Sequence, residues 1–92
     1  MKVRYLNSFD KTFNRLPMDK QLEVIEVVDI LIAFLETKSR PTKGIGIKKL
    51  RKNFWEVRIS LKLRILFEIQ KGSLIFILVG SHDDIKRYIR KR

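Results

Sequence analysis

A chain of 92 residues, 45% of them apolar, has the size of one small domain (residues 1–92), burying roughly 60–65% of the surface that its unfolded form exposes; a disordered polymer is excluded. It has no cysteine and one histidine, which excludes a disulfide framework and argues against an all-protein metal site; no cofactor motif occurs. The formal charge of +11 divides unevenly, +2 over residues 1–46 and +9 over residues 47–92, which points the second half at a polyanion or an acidic protein.

In chain order, Lys2 to Leu6 (KVRYL) alternates with Val3 and Tyr5 on one side and predicts a strand. Nothing in MKVRYLNSFDK resembles the apolar run of a signal peptide. Ser8 is a candidate cap for a short helix with Phe9, Phe13 and Leu16 at helical spacing, ended by Pro17. Asp19 is the next candidate cap, opening a helix from Lys20 to about Thr37. That helix has two apolar stripes, Leu22–Ile25–Val28–Ile32–Leu35 and Val24–Val27–Leu31–Phe34, so it is expected to touch two layers. Its apolar region is broken by Glu23, Glu26 and Asp29 and is too short to span a bilayer. No membrane partner and a cytoplasmic location are the resulting expectations.

Lys38 to Gly46 (KSRPTKGIG) reads as a basic loop, without the spacing of a phosphate-binding loop. Ile47 to Leu50 leads into FWEVRIS, in which Trp55, Val57 and Ile59 face one way and Phe54, Glu56, Arg58 and Ser60 the other. In LKLRILFEI, Leu63, Ile65, Phe67 and Ile69 oppose Lys62, Arg64, Leu66 and Glu68. Gln70-Lys71-Gly72 supplies a hairpin turn, and SLIFILVG, apolar on both faces, reads as a central strand. Ser81 with Asp84 three residues on forms a capping-box pattern, opening a last helix with Ile85, Tyr88 and Ile89 on one face. The order β-α-α-β-β-β-α predicts an α+β fold, an N-terminal helical hairpin packed on a small antiparallel-rich sheet.

Candidate chemistry gathers in the basic half. Arg58 and Arg64 fall on the polar face of adjacent strands. They read equally as a solvated face, paired with Glu56 or Glu68, or as a phosphate site. His82 follows the central strand at a helix N-terminus, where backbone N–H groups favour an anion. An unperturbed imidazole titrates near about pH 6.5, so it can give or take a proton under physiological conditions. The plain alternative is an exposed first-turn residue beside Asp83 and Asp84. Tyr88 combines a packing body with a hydroxyl that could reach the same cleft. Glu56 is either a salt-bridge partner or a proton acceptor.

Taken in order, the basic short chain, the helical hairpin, FWEVRI, LRILFEI and GSHDD before the last helix resemble the RelE/ParE superfamily of toxin–antitoxin toxins across essentially the whole chain. The GSHDD segment is similar to that of the YafQ-like ribonuclease branch. The resemblance implies an endoribonuclease, acting without a metal or cofactor, that cleaves mRNA in the ribosomal A site. It also implies an acidic antitoxin as partner, through which alone operator DNA would be contacted. Arg64 then matches the phosphate-stabilising arginine, His82 the acid or base, and Tyr88 a functional C-terminal tyrosine. Glu56 takes the position of a candidate base. Lys48, Lys49, Arg51, Lys52, Arg58, Lys62, Lys86 and Arg87 become candidate RNA contacts. The chain departs from the family in having Glu56 and Arg58 where RelE has paired lysines, and in lacking the further histidines of YafQ-like members. ParE-like members of the superfamily inhibit DNA gyrase without nuclease activity, and that remains the alternative.

Overall fold

The computed structural model describes residues 1–37 and 46–92, so of the basic loop read over Lys38 to Gly46 only Gly46 lies among the described residues. The elements run β1 (Lys2–Tyr5), α1 (Asn7–Asn14), α2 (Met18–Thr37), β2 (Ile47–Lys49), β3 (Phe54–Arg58), β4 (Arg64–Gln70), β5 (Ser73–Gly80) and α3 (His82–Arg90). The order read from the sequence is present, and the lead-in at Ile47 pairs as a short strand of its own. The sheet order is β1-β5-β4-β3-β2, with β1 parallel to β5 and every other pair antiparallel.

Alternation decides which side chains build each face. Val57, Ile65, Phe67, Leu74, Phe76 and Val79 point to one side and form a core with Phe9 of α1 and Val24, Val28 and Leu31 of α2. On the other side Phe54, Leu66, Ile75, Ile77 and Leu78 pack with Ile85 of α3. The alternation slips once in β5, because the register passes from Phe67↔Phe76 to Leu66↔Leu78 and skips Ile77. This bulge turns both Ile77 and Leu78 toward α3. The sheet is therefore covered on both faces, and the side read as polar and solvated carries a second core.

Strand β1 covers only the first half of β5, with Tyr5 opposite Phe76. Two hydroxyls of α1 serve the rest. Ser8 donates to the Ile77 carbonyl that the bulge frees, and the Val79 amide donates to Thr12 Oγ1 at 2.9 Å. Thus Ser8 is not a helix cap; Leu6 occupies the N-cap position without a side-chain hydrogen bond. The second helix also starts earlier than Asp19 suggested, since the Pro17 carbonyl accepts the amides of Lys20 and Gln21. Proline fits there because a helix start needs no N–H from it.

The expectation that both stripes of α2 are covered holds toward its C-terminal end, where Val28 is buried and Ile32 and Leu35 pack partly buried against the core, and fails toward its N-terminal end. Val24, Val28 and Leu31 are buried, whereas Met18 and Leu22 are 71% and 60% exposed and Ile25 is exposed beside them. Both N-terminal helices lie on one face of the sheet, and among the described residues nothing covers Met18, Leu22 and Ile25 on the outer side of the first half of α2. At the β4–β5 turn Gly72 takes φ 73°, the left-handed conformation for which its lack of a Cβ suits it.

Candidate functional site

The sheet register brings charged residues of two strands into one row that runs on into β5. Arg58 lies opposite Arg64, and Arg64 opposite Gly80, two residues before His82. Like charges directly opposite each other destabilise a strand pair unless something neutralises them. Glu56, diagonal to Arg64 on β3, does so for one of the two through an ion pair from Arg64 Nη1 to Glu56 Oε2. Arg58 is exposed and has no ion pair among the described residues.

Glu56 is 2% exposed, the one buried charged residue among those described. Its second oxygen, Oε1, and Arg64 Nε are buried without hydrogen-bond partners. Such groups cost free energy unless a ligand or water completes them. Leu66, its register partner, and the helix α3 lying over this face explain the burial. Sequence alternation placed Glu56 on the right face but could not show that a helix covers it.

His82 is held by the start of α3, where both halves of the capping box form. The Ser81 amide donates to Asp84 Oδ2 at 2.9 Å and the Asp84 amide to Ser81 Oγ at 3.1 Å. Gly80 belongs to the same device, since a Cβ there would lie 2.7 Å from Asp84 Oδ2. The amide and hydroxyl of Ser81 hold the Asp84 carboxyl below the usual carboxylate range against the opposing effect of burial, with a lesser contribution from the Arg87 guanidinium. A depressed folded pKa contributes stability that is present above the unfolded carboxyl value and is lost as pH falls through the folded one. Asp84→Ala, which removes the N3 half of the capping box, is expected to cost about 0.3–1.5 kcal/mol near neutral pH. The deficit should shrink in thermal melts taken at progressively more acid pH; a deficit independent of pH would contradict the cap's role.

Two grooves flank α3. The first, about 450 Å³, runs between β2–β3 and the helix and collects Lys48, Lys49, Arg51, Glu56, His82 and Lys86. It adds Arg90, which sequence reading missed although the i, i+4 spacing from Lys86 on α3 carried the signal. The second, about 420 Å³, lies on the other side of α3 against α1, lined by Thr12, Arg15, Arg87, Tyr88, Lys91 and Arg92 among others. Tyr88 therefore does not share a groove with Glu56 and His82. Its ring meets Phe54 edge-on at 6.4 Å and Arg92 stacks over it at 4.3 Å. Six residues separate His82 from Tyr88, which at 100° per residue puts them on different sides of the helix.

Of the other candidate contacts, Arg87 faces this second groove. Lys52 sits in the β2–β3 turn with φ 54°, and Lys62 lies in the turn joining β3 to β4 beyond the arginine row. No group of three or more metal-ligating side chains occurs among the described residues, and no described helix is long and apolar enough to cross a membrane.

A mixed five-stranded sheet with two N-terminal helices on one face and a C-terminal helix on the other is the fold of RelE-like toxins. No family model matches the chain, and no curated protein matches its sequence. Solved structures do. A copper-bound mutant toxin from Helicobacter pylori is similar at 24% identity and a TM-score of 0.66, over 91% of this chain and 97% of that one. A chain of the RelB–RelE antitoxin–toxin complex from Methanococcus jannaschii is similar at 21% identity and a TM-score of 0.65, over 91% and 95%. YafQ from E. coli matches at 14% identity and a TM-score of 0.65, over 91% and 96%. At these identities the likeness is one of fold, and at that level the resemblance read from the sequence is supported.

Proposed function

We propose that this protein is the toxin of a type II toxin–antitoxin system, an endoribonuclease that cleaves mRNA in the ribosomal A site and so inhibits translation. The observation that carries the reading is the row Arg58–Arg64–Gly80, which ends at His82 on a helix N-terminus beside the buried, half-satisfied Glu56. The RelE and YafQ folds that the chain resembles support the toxin assignment, and their complexes with RelB and DinJ support an antitoxin as partner. An acidic antitoxin suits a chain of charge +11 and would carry any contact with operator DNA.

The chemistry needs no metal or cofactor. The substrate's 2′-hydroxyl attacks the adjacent phosphorus, forming the P–O2′ bond as the P–O5′ bond breaks. Glu56 takes the 2′-hydroxyl proton, and the His82 imidazolium returns one to the departing 5′-oxygen. Arg58 and Arg64 bear the charge that grows on the non-bridging oxygens, which positioned cations stabilise more than they stabilise the ground state. The products are a 2′,3′-cyclic phosphate and a free 5′-hydroxyl. Lys48, Lys49 and Lys86 contact neighbouring phosphates.

Mapping mRNA 5′ ends after brief induction tests this reading. Cuts in register with codons, carrying 5′-hydroxyls, are expected. Intact transcripts with induction of DNA damage would instead favour gyrase inhibition.

A further inference from the structure

We infer that the groove between α1 and α3 is a binding site for a free nucleoside polyphosphate, separate from the proposed reacting centre. The inference stands apart from the ribonuclease reading, since this groove holds neither Glu56 nor His82.

At about 420 Å³ the groove falls within the roughly 300–1,000 Å³ of small-ligand clefts. Its floor is apolar, built by the buried Leu78 and Val79 of β5. The hydroxyl of Thr12 on its wall is already engaged, accepting the Val79 amide at 2.9 Å and donating to the Ser8 carbonyl at 2.8 Å.

The walls bring cations from two elements, Arg15 at the end of α1 and Arg87, Lys91 and Arg92 along the end of α3. A cation at a helix C-terminus complements the helix dipole, which explains each of them singly. It does not explain why two helix ends gather like charges around one cleft. The acid that lines it, Asp84, is taken up by the Ser81 amide and by Arg87 at 3.3 Å. Arg15 and Lys91 have no ion pair among the described residues. A chain of phosphates supplies the opposite charge and the acceptor oxygens that these side chains lack.

The remaining wall is aromatic. Tyr88 meets Phe54 edge-on, and the Arg92 guanidinium lies over its ring at 4.3 Å. A ring face that holds a planar guanidinium also suits a nucleobase, which would take its place and leave Arg92 to the phosphates. The groove on the other side of α3 has no aromatic lining, so base recognition distinguishes the two. A nucleotide within an RNA chain has the same chemistry as a free one. The free form is favoured because α3 lies between this groove and the one holding Glu56 and His82. A strand seated in the reacting centre would have to cross over the helix to enter it.

Calorimetric titration of the whole protein with metal-free ATP and GTP tests the assignment, beside tripolyphosphate and a non-cleavable single-stranded oligonucleotide. At least one nucleotide is expected to bind, and more tightly than tripolyphosphate. Tyr88→Leu, which keeps an apolar body against Phe54, should weaken that nucleotide about fivefold or more and leave tripolyphosphate unchanged. Two double reversals of equal net charge separate the grooves, Arg15→Glu with Lys91→Glu and Lys48→Glu with Lys49→Glu. The first should weaken the nucleotide about tenfold or more beyond the second, and the oligonucleotide no more than the second does. Thermal melts check that each variant folds.

Failure of both nucleotides to bind the unaltered protein overturns the proposal. Tripolyphosphate binding as tightly as the nucleotide, or full nucleotide affinity in Tyr88→Leu, removes the base from the site and overturns it too. Equal losses of nucleotide in the two reversals would mean a diffuse field without a site. A larger loss of oligonucleotide in the first reversal than in the second would assign the groove to RNA, and either result sinks the inference. No readout involves cleavage, so each holds whether or not the protein cuts mRNA.

Discussion

His82→Ala is expected to lower mRNA cleavage by about 10²–10⁴-fold, the usual contribution of a positioned acid or base, and to relieve growth arrest. Folding should be untouched. His82 is exposed and makes no side-chain hydrogen bond or ion pair among the described residues, while Ser81 and Asp84 hold the helix start without it. Alanine also favours the helical conformation. Induction followed by 5′-end mapping, with a thermal melt of the purified variant, separates the two effects. Toxicity at full strength in a folded His82→Ala protein would falsify its assignment as proton donor.

The second large effect concerns the Arg64–Glu56 pair. Arg64→Ala removes the proposed phosphate contact and also leaves the Glu56 carboxylate buried with no cation in contact. Breaking a buried pair costs about 3–5 kcal/mol, and the lower end applies here because the Arg64 side chain is 23% exposed. That is a large share of the roughly 5–15 kcal/mol that stabilises a small domain. Adding Glu56→Gln to Arg64→Ala should recover most of the lost stability, since a neutral amide is cheaper to bury than an unpaired charge. Cleavage should stay absent in both. Urea midpoints measure the first comparison and transcript mapping the second; a double variant no more stable than Arg64→Ala would contradict the account.

Much of the fold was legible because it rests on local patterns. The two faces of FWEVRI and LRILFEI, the turn at Gly72 and the capping box at Ser81 each follow from neighbours a few residues apart. What escaped depends on distant partners. Ser8 resembles a cap until the bulge at Ile77 offers it a free carbonyl, and that bulge is invisible in an apolar run with no polar residue to mark it. The same holds at the site. Glu56, Arg58 and Arg64 were found by alternation, but burial of Glu56 depends on α3 lying across its strand. Tyr88 was read with His82 because both lie on one short helix. The direction of each around the helix axis, and the presence of α1 beside Tyr88, separates them.

The exposed face of α2 bears on how the molecule would approach a polyanion. That helix carries Asp19, Glu23, Glu26, Asp29 and Glu36 against Lys20 alone, a net of −4 in a chain of +11. It lies across the sheet from α3, where the cations of both grooves collect. Among the described residues the charge is consequently placed unevenly, negative on α2 and positive around α3. In the field of the polyanion proposed as its substrate the protein would experience a torque that turns α3 and the arginine row forward and α2 away, before any contact forms. Capture should then slow steeply as salt rises, within a Debye length that shrinks to about 10 Å at 0.1 M, while the step that follows capture depends on salt far less. On that reading the acidic helix, on the opposite face of the sheet from α3, would act as the rudder of the encounter.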